Sequence, residues 1–478
     1  MLIKPFYIFG IDRTVQVTVG TEDYGLYAVL YNFSILYYIL LDLGLSNYNN
    51  RTIAQQPELL RTYVPNFLII KTLLSFLYLA VVFVLAYSWG YRSLKLSLLF
   101  PLAMNQVFIG FILYFRSNIT ALHFFRWDAI LSVFDRILVI IICAVLLWGS
   151  VVPTFKIEYF VYAQTFAYGF TALVSGALVW RLMATSFSNP VRNSLSQLSK
   201  GFGLASIIKI LKDSYPYALL VLLMTIYNRI DSIMIEKLLS DGLNQAGIYA
   251  AAYRLLDAVN IFGVLFGTLL LPIFARMLKE KQDIQALTFT AFKLIFAFST
   301  TAAICTSFFG TEVMTLLYGN SVTTVWVRVF ELLIFSFIPV ASVYIFGTLM
   351  TANASLKQLN IIAISGVVLN VVLNLILIPT YEVFGATLAT LITQSLVAIV
   401  HIIWSKVIFH LRFSTNFILQ VTGFIALAML FNYLASSQFQ NEHWYINFLI
   451  AVVLTVTAAF VTKLIDLRAF VQILKSRD

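Results

Sequence analysis

The sequence predicts an all-α membrane protein with about fourteen transmembrane helices, and three observations support this fold class. Hydrophobic residues make up 61% of the 478 residues and charged residues 11%, against roughly 45–50% and 25% in soluble domains. The mean hydropathy of +0.91 means that apolar runs recur along the chain, and runs of about twenty residues can cross roughly 30 Å of hydrocarbon. The continuously apolar stretches 64–87 and 137–148 exclude the alternating pattern of a membrane β-barrel.

Individual spans follow from apolar windows bounded by glycine, proline or charge. Residues 1–20 are predicted to form a shortened or truncated first helix, because charges and Pro5 interrupt an apolar segment that lacks a cleavage site. The other predicted spans are 26–45, 64–88, 95–115, 128–152, 158–180, 214–238, 247–271, 287–308, 327–350, 358–379, 383–404, 416–435 and 445–465.

The connecting loops differ in charge on the two sides of the membrane. About nineteen lysines and arginines fall on one side and about six on the other. The side with more positive charge is predicted to be cytoplasmic, which places both termini in the cytoplasm. The net charge of +10 is then explained by topology and anionic lipid, so nucleic-acid binding is not needed.

A short motif occurs twice. Residues 25–31 (GLYAVLY) and 247–253 (GIYAAAY) share four of seven residues at an offset of 222, or six predicted spans. An even number of crossings preserves direction, so two parallel repeats are expected; chance recurrence of common membrane residues is the alternative. The predicted organisation is an N-terminal lobe 1–185, a cytoplasmic amphipathic linker 186–213, a C-terminal lobe 214–405, and two extra helices with a basic tail over 406–478.

Ionisable residues inside spans cost roughly 2.5–3.5 kcal/mol each, so each is a candidate functional residue. Arginine and lysine facing an interior cavity would suit an anionic, phosphate-bearing cargo. Structural roles are the alternative: Arg254 and Asp257 could pair along one helix, whereas Asp135 and its neighbour Arg136 face different sides and are expected to have separate partners. The cationic candidates are Arg254, Arg229, Lys293, Lys71 and Arg13, and the candidates for charge partners or coupling are Asp231, Asp257 and Asp12.

Several functional classes lack their motifs. The chain has neither a G-x-x-x-x-G-K-[ST] loop nor a G-x-G-x-x-G turn, so binding of ATP or of a dinucleotide by these motifs is not expected. The four histidines are far apart, and Cys143 and Cys305 lie in apolar segments, so no metal site is predicted. The sequence therefore predicts a transporter without catalytic residues or a cofactor.

The motifs resemble those of bacterial polysaccharide flippases of the O-antigen type. These proteins belong to the multidrug/oligosaccharidyl-lipid/polysaccharide exporter superfamily and are related to lipid II flippases. The resemblance covers nearly the whole chain. It is carried by the runs 23–27 (DYGLY), 40–45 (LLDLGL), 50–55 (NRTIAQ), 228–231 (NRID), 247–249 (GIY), 252–255 (AYRL) and 270–272 (LLP).

The resemblance implies two six-helix lobes, two C-terminal helices and a central cavity with alternating access. Arg254 corresponds to an arginine that lines the cationic cavity of the related lipid II flippases, and Asp12 with Arg13 lies roughly where they carry an Arg-Asp pair. The implied cargo is a polyprenyl-diphosphate-linked oligosaccharide for cell-surface polysaccharide or lipopolysaccharide, with polysaccharide assembly proteins as possible partners. An ion-coupled multidrug antiporter and a membrane-embedded polysaccharide polymerase or ligase are the alternatives.

Overall fold

The computed structural model describes residues 3–185, 204–438 and 443–465, and every regular element in these ranges is helical. The predicted all-α membrane class is therefore confirmed. The chain divides into two compact units, Met1–Ile233 and Met234–Asp478. The boundary between the units falls inside a helix that spans Leu204–Leu238.

Glycines with positive φ separate the early helices of the first unit. Gly20 (φ 86°) ends one helix and Gly44 (φ 85°) precedes another, a backbone conformation that residues with a Cβ adopt at a cost. A π-helical stretch, Tyr7–Asp12, joins α1 to α2, and 3₁₀ turns occupy Tyr38–Leu41 and Pro57–Leu59. The helices are α1 Ile3–Phe6, α2 Arg13–Val19, α3 Thr21–Leu36, α4 Leu45–Gln55, α5 Leu60–Ser88, α6 Ser93–Ala121, α7 Phe125–Trp148, α8 Ile157–Thr185 and α9 Leu204–Leu238.

The core of the first unit forms around α6, which packs on α8, α3 and α4, while α7 packs on α8. In the second unit, α14 (Phe337–Ala352) has the same central role and packs on α10 (Gly242–Lys279), α11 (Gln285–Phe308) and α15 (Leu356–Phe409). Gly263 of α10 lies against the ring of Tyr344, where a Cβ would collide with the ring, so small residues permit close helix packing. The helices of the second unit are α10 Gly242–Lys279, α11 Gln285–Phe308, α12 Gly310–Tyr318, α13 Thr324–Ile334, α14 Phe337–Ala352, α15 Leu356–Phe409, α16 Thr415–Gln438 and α17 Trp444–Val461.

Helix α15 contains two spans. Its 54 residues would extend about 81 Å if straight, far more than the roughly 30 Å of hydrocarbon. The backbone breaks at Glu382, which has φ 53° and ψ −137°. Gly385 then lies directly against the carbonyl oxygen of Leu377, so the chain turns back sharply at this residue. The break coincides with the predicted boundary between spans 358–379 and 383–404.

The number of spans agrees with the expectation of about fourteen. Within the described ranges, eleven helices are long and apolar enough to cross a membrane, with 356–409 counted once. The break at Glu382 divides that helix and adds one span. The helical segments 3–19 and 21–36 are shorter than these helices. Counting them as two further spans gives fourteen.

The repeated motif has the same environment in each unit. The hydroxyl of Tyr27 in α3 accepts a hydrogen bond from Gln164 Nε2 of α8, at 3.0 Å. The hydroxyl of Tyr249, 222 positions later in α10, lies 3.0 Å from Thr390 Oγ1 of α15. Both tyrosines also contact a second ring of the motif, with centroids 5.8 Å apart for Tyr27 and Tyr31 and a similar spacing in the second copy. These paired contacts agree with direct repeats, and superposition of the two lobes stays a prediction.

The predicted linker and tail lie partly outside the described residues. Residues 186–203 and 466–478 are not among them, whereas 204–213 form the first turns of α9. The division at 186–213 stays a prediction alongside the observed division into units within α9.

Candidate functional site

Asp12 lies in the first helical segment, at the end of the π-helical stretch, and is 1% exposed. This stretch packs on α7, and Asp12 is within electrostatic range of Cys143 on α7 and Tyr168 on α8. Arg13 is partly exposed. A carboxylate thus lies in the interior of the first unit, where the cost of burial requires compensating polar contacts.

Asp135 and Arg136 of α7 are within range of the same Tyr168. The expectation that the two residues have separate partners is wrong, because Arg136 Nη1 lies 3.5 Å from Asp135 Oδ2. Neighbouring side chains leave a helix in different directions, but the arginine side chain is long enough to fold back along the helix.

Lys71 of α5 is buried in an ion pair. Its Nζ is 2.7 Å from Asp42 Oδ1 and donates to the carbonyl oxygen of Leu41 at 3.2 Å. The Lys71 side chain is 2% exposed, and Nζ lies 5.6 Å from the centroid of the Tyr114 ring. Asp42 also accepts from the backbone N–H of Ser46, so the pair joins the start of α4 to α5. Removing one partner of such a pair would leave a buried charge.

Arg229 and Asp231 both lie on α9. Asp231 is 1% exposed, whereas Arg229 is partly exposed. The next residue, Ser232, accepts a hydrogen bond from Asn32 Nδ2 of α3 at 3.0 Å. This bond fixes the turn of α9 that carries Asp231 against α3, within the first unit.

Arg254 and Asp257 form the intrahelical pair that their spacing allows, but the pair is loose. Arg254 Nη1 lies 3.8 Å from Asp257 Oδ2, and their side chains are 20% and 22% exposed. Both are on α10, where Arg254 directly follows the repeated motif and Asp257 lies one turn later. At this distance and exposure the pair contributes little stability, so an anionic ligand could compete with Asp257 for the guanidinium.

Lys293 of α11 contacts one of the extra C-terminal helices. Its Nζ donates to Gln420 Oε1 of α16 at 2.6 Å and lies 5.7 Å from the centroid of the Phe417 ring. Among the sequence candidates, the structure brings Arg254 and Asp257 together on α10. Within the first unit, Lys71 is held by Asp42; within the second, Arg254 and Lys293 have different contacts.

Sequence reasoning missed several polar residues that these contacts use. Asp42, Gln164 and Thr390 each bind a residue of a predicted motif or site.

Asn105 of α6 is 2% exposed, and neither its Nδ2 nor its Oδ1 has a hydrogen-bond partner among the described residues. A search of the apolar spans for amide and hydroxyl side chains, as well as for charges, would have found these positions, because buried polar groups require partners.

Solved transporter structures share this fold. The lipid II flippase MurJ, in an inward closed conformation, matches with a TM-score of 0.71 at 14% identity over 97% of this chain and 96% of that chain. An inward-facing multidrug resistance transporter of the MATE family matches with a TM-score of 0.64 at 16% identity over 85% and 94% of the two chains. A MOP superfamily transporter from Pyrococcus furiosus matches with a TM-score of 0.56 at 14% identity over 86% and 91%.

The fold is thus that of membrane transporters of the multidrug/oligosaccharidyl-lipid/polysaccharide exporter superfamily, as the sequence motifs indicate. The model of a family described as polysaccharide biosynthesis protein matches residues 14–278, more than half of the chain. The protein belongs to this family. No curated protein matches the sequence.

Proposed function

We propose that the protein is a flippase that moves a polyprenyl-diphosphate-linked oligosaccharide from the inner to the outer leaflet of the bacterial inner membrane. The membership in the polysaccharide biosynthesis family is the observation that carries this proposal, and a fold shared with a lipid II flippase supports it. The cargo would serve a cell-surface polysaccharide such as O-antigen, with polysaccharide assembly proteins as partners. Both termini would be cytoplasmic.

The diphosphate is the group of this cargo that is most costly to bring through hydrocarbon, because it is charged. Arginine matches phosphate oxygens with two parallel hydrogen bonds. We assign the main role to Arg254, because its pair with Asp257 is loose and partly exposed. Arg229 and Lys293, both partly exposed, would assist, with Arg13 as a further cation. Lys71 is a weaker candidate, since its ion pair with Asp42 is short and buried.

The carboxylates would have a separate role. Asp12 and Asp231 are both 1% exposed, and Asp257 contacts Arg254. In this proposal Asp257 holds the guanidinium of Arg254 in place until the cargo arrives, and Asp12 and Asp231 are candidates for coupling the conformational change to an ion.

Transport by purified protein in vesicles tests the proposal. Vesicles loaded on one side with a polyprenyl-diphosphate-linked oligosaccharide should expose it on the other side. Arg254→Ala should abolish this transfer at a normal protein level, while Arg254→Lys, which keeps the charge and loses the two-pronged geometry, should retain part of it. Arg276→Ala is the matched control on the same helix, because Arg276 is 77% exposed and pairs with Glu280 one turn away.

Two results would count against the proposal. Normal transfer by Arg254→Ala would reduce Arg254 to a structural partner of Asp257. Ion-driven export of organic cations without transfer of the lipid-linked sugar would favour the multidrug antiporter, the alternative that the fold shared with MATE transporters supports.

The orientation has its own test in reporter fusions. Fusions after Lys95, Lys156 and Asp241 should report an external location, and a fusion after Lys281 a cytoplasmic one. The opposite result at two or more of these sites would refute the proposed topology.

A further inference from the structure

The surface of the first unit contains an apolar groove between α5, α6 and α8. Its volume is about 580 Å³, and only apolar side chains and glycines line it. One wall is formed by Phe108, Phe111 and Phe115 of α6, and the floor by α8. Leu173 and Trp180 of α8 are 73% and 68% exposed, so the groove is open at the surface of the unit.

The shape of the groove suits a single hydrocarbon chain. It follows α8 from Gly169 to Met183, about 21 Å along the helix axis, while one leaflet of hydrocarbon is about 15 Å deep. Gly176 carries no side chain where the Phe115 ring approaches, and a Cβ at this residue would lie 3.2 Å from the ring. Ala177, next to Gly176, also lines the groove and is exposed.

Positive charge is concentrated at one end of the groove. Each of its three helices carries an arginine there: Arg61 one turn before Val64 on α5, Arg116 directly after Phe115 on α6, and Arg181 directly after Trp180 on α8. Nε of Arg61 donates to the carbonyl oxygen of Met183, a lining residue, at 2.9 Å, which fixes the exposed Arg61 side chain at this end.

Two acidic residues lie near the same end of the groove. Arg116 pairs with Asp128 at 2.7 Å, and the exposed Glu58 precedes α5. Three arginines and two acidic residues therefore lie at this end of the groove among the described residues, so basic side chains outnumber acidic ones there. An apolar groove with a cationic end is complementary to a lipid with an anionic head group.

We propose that this groove binds an anionic glycerophospholipid, with one acyl chain along α8 and the phosphate at Arg61 and Arg181. Arginines near the membrane surface attract anionic head groups, and burial of each CH₂ adds roughly 0.8 kcal/mol. The predicted orientation puts the cationic end at the cytoplasmic leaflet. The lipid is a bound component of the protein and is distinct from the proposed cargo, so this site does not depend on the proposed function.

Native mass spectrometry of the delipidated full-length chain can test the site. Phosphatidylglycerol and phosphatidylethanolamine with the same acyl chains would be titrated separately, and phosphatidylglycerol should bind more tightly. Ala177→Trp places a large side chain in the groove and should weaken phosphatidylglycerol binding about tenfold. This decrease corresponds to the loss of about one to two buried CH₂ groups of the acyl chain. Arg61→Gln or Arg181→Gln should weaken it about fivefold and reduce the preference for the anionic head group.

Ala80→Trp is the matched control, because Ala80 is an exposed alanine of α5 outside the groove. This variant should bind phosphatidylglycerol like the unchanged protein. Equal binding of both lipids, unchanged binding by Ala177→Trp, or an equal loss in Ala80→Trp would overturn the proposal. Binding of a polyprenyl phosphate at this groove that phosphatidylglycerol cannot displace would also overturn it, since the groove would then hold the tail of a cargo.

Discussion

Lys71 and Lys293 occupy corresponding positions in the two units, 222 residues apart, the same offset as the repeated motif. Each Nζ lies near an aromatic ring, 5.6 Å from the centroid of Tyr114 and 5.7 Å from that of Phe417. Their polar partners differ. Lys71 is bound by the carboxylate of Asp42, whereas Lys293 donates to the neutral amide of Gln420. In the first unit, the charge of Lys71 is thus neutralised by Asp42 in the core. In the second unit, Lys293 instead connects α11 to the C-terminal helix α16.

A second pair of residues is separated by the same 222 positions. The position equivalent to Arg254 in the first unit is Asn32, again 222 residues earlier. Asn32 is buried and donates to Ser232, while Arg254 is partly exposed and only loosely held by Asp257. In the predicted repeat, α3 and α10 thus share packing contacts and differ in interior charge, which directs the search for an anion-binding residue to the second unit.

The largest expected effect on stability concerns Lys71. Lys71→Met would leave the carboxylate of Asp42 without its cation, which should lower the free energy of unfolding by about 3–5 kcal/mol. The measurement is the thermal unfolding midpoint of the purified protein in detergent. The double variant Lys71→Met/Asp42→Asn removes both charges and should recover most of the loss, because the introduced asparagine can still accept from the backbone N–H of Ser46 as Asp42 does. No recovery in the double variant would mean that the charge pair is not the cause.

Lys293→Met should lower the free energy of unfolding by less, about 1.5 kcal/mol, because Gln420, which accepts the hydrogen bond from Lys293, is a neutral amide. Gln420→Leu removes the same bond and should give a similar shift in the same unfolding assay. If Lys293→Met lowered the free energy of unfolding as much as Lys71→Met, Lys293 would also be part of a charge pair. That result would contradict the proposed difference between the two lysines.

The smallest effects are expected at the paired tyrosines. Tyr27→Phe removes the hydrogen bond to Gln164 of α8, and Tyr249→Phe removes the one to Thr390 of α15. Each change should lower the free energy of unfolding by about 1 kcal/mol. Equal decreases in the unfolding midpoint would support one structural role for the motif in both units. The reciprocal test removes the partners of the tyrosines, by Gln164→Leu and Thr390→Val. A decrease in the unfolding midpoint for only one of these two variants would contradict an equivalent role of the motif in both units.

The sequence predicts local features of this molecule well and long-range partners poorly. The boundary between the spans in 356–409 could be predicted, because Pro379, Glu382 and Gly385 interrupt an apolar run. The span predicted at 26–45 is less regular than expected: α3 ends at Leu36 and a 3₁₀ turn follows. Composition alone does not determine where such a turn forms.

The partners of the charged candidates could not be predicted in the same way. Asp42 is 29 residues from Lys71, and Gln420 is 127 residues from Lys293. Only the packed fold brings these pairs together. Arg254 and Asp257 are the exception, because helix geometry alone places residues three apart on one face.

The break at Glu382 has a consequence for motion within the second unit. A single non-helical residue separates the two halves of α15, and Gly385 already lies against Leu377 on the other side of the turn. With one non-helical residue between them, the two halves of α15 have no loop that could absorb a change in their relative angle. Such a change has to be taken up by the backbone dihedral angles of Glu382 and its immediate neighbours, so this residue is the expected hinge of 356–409.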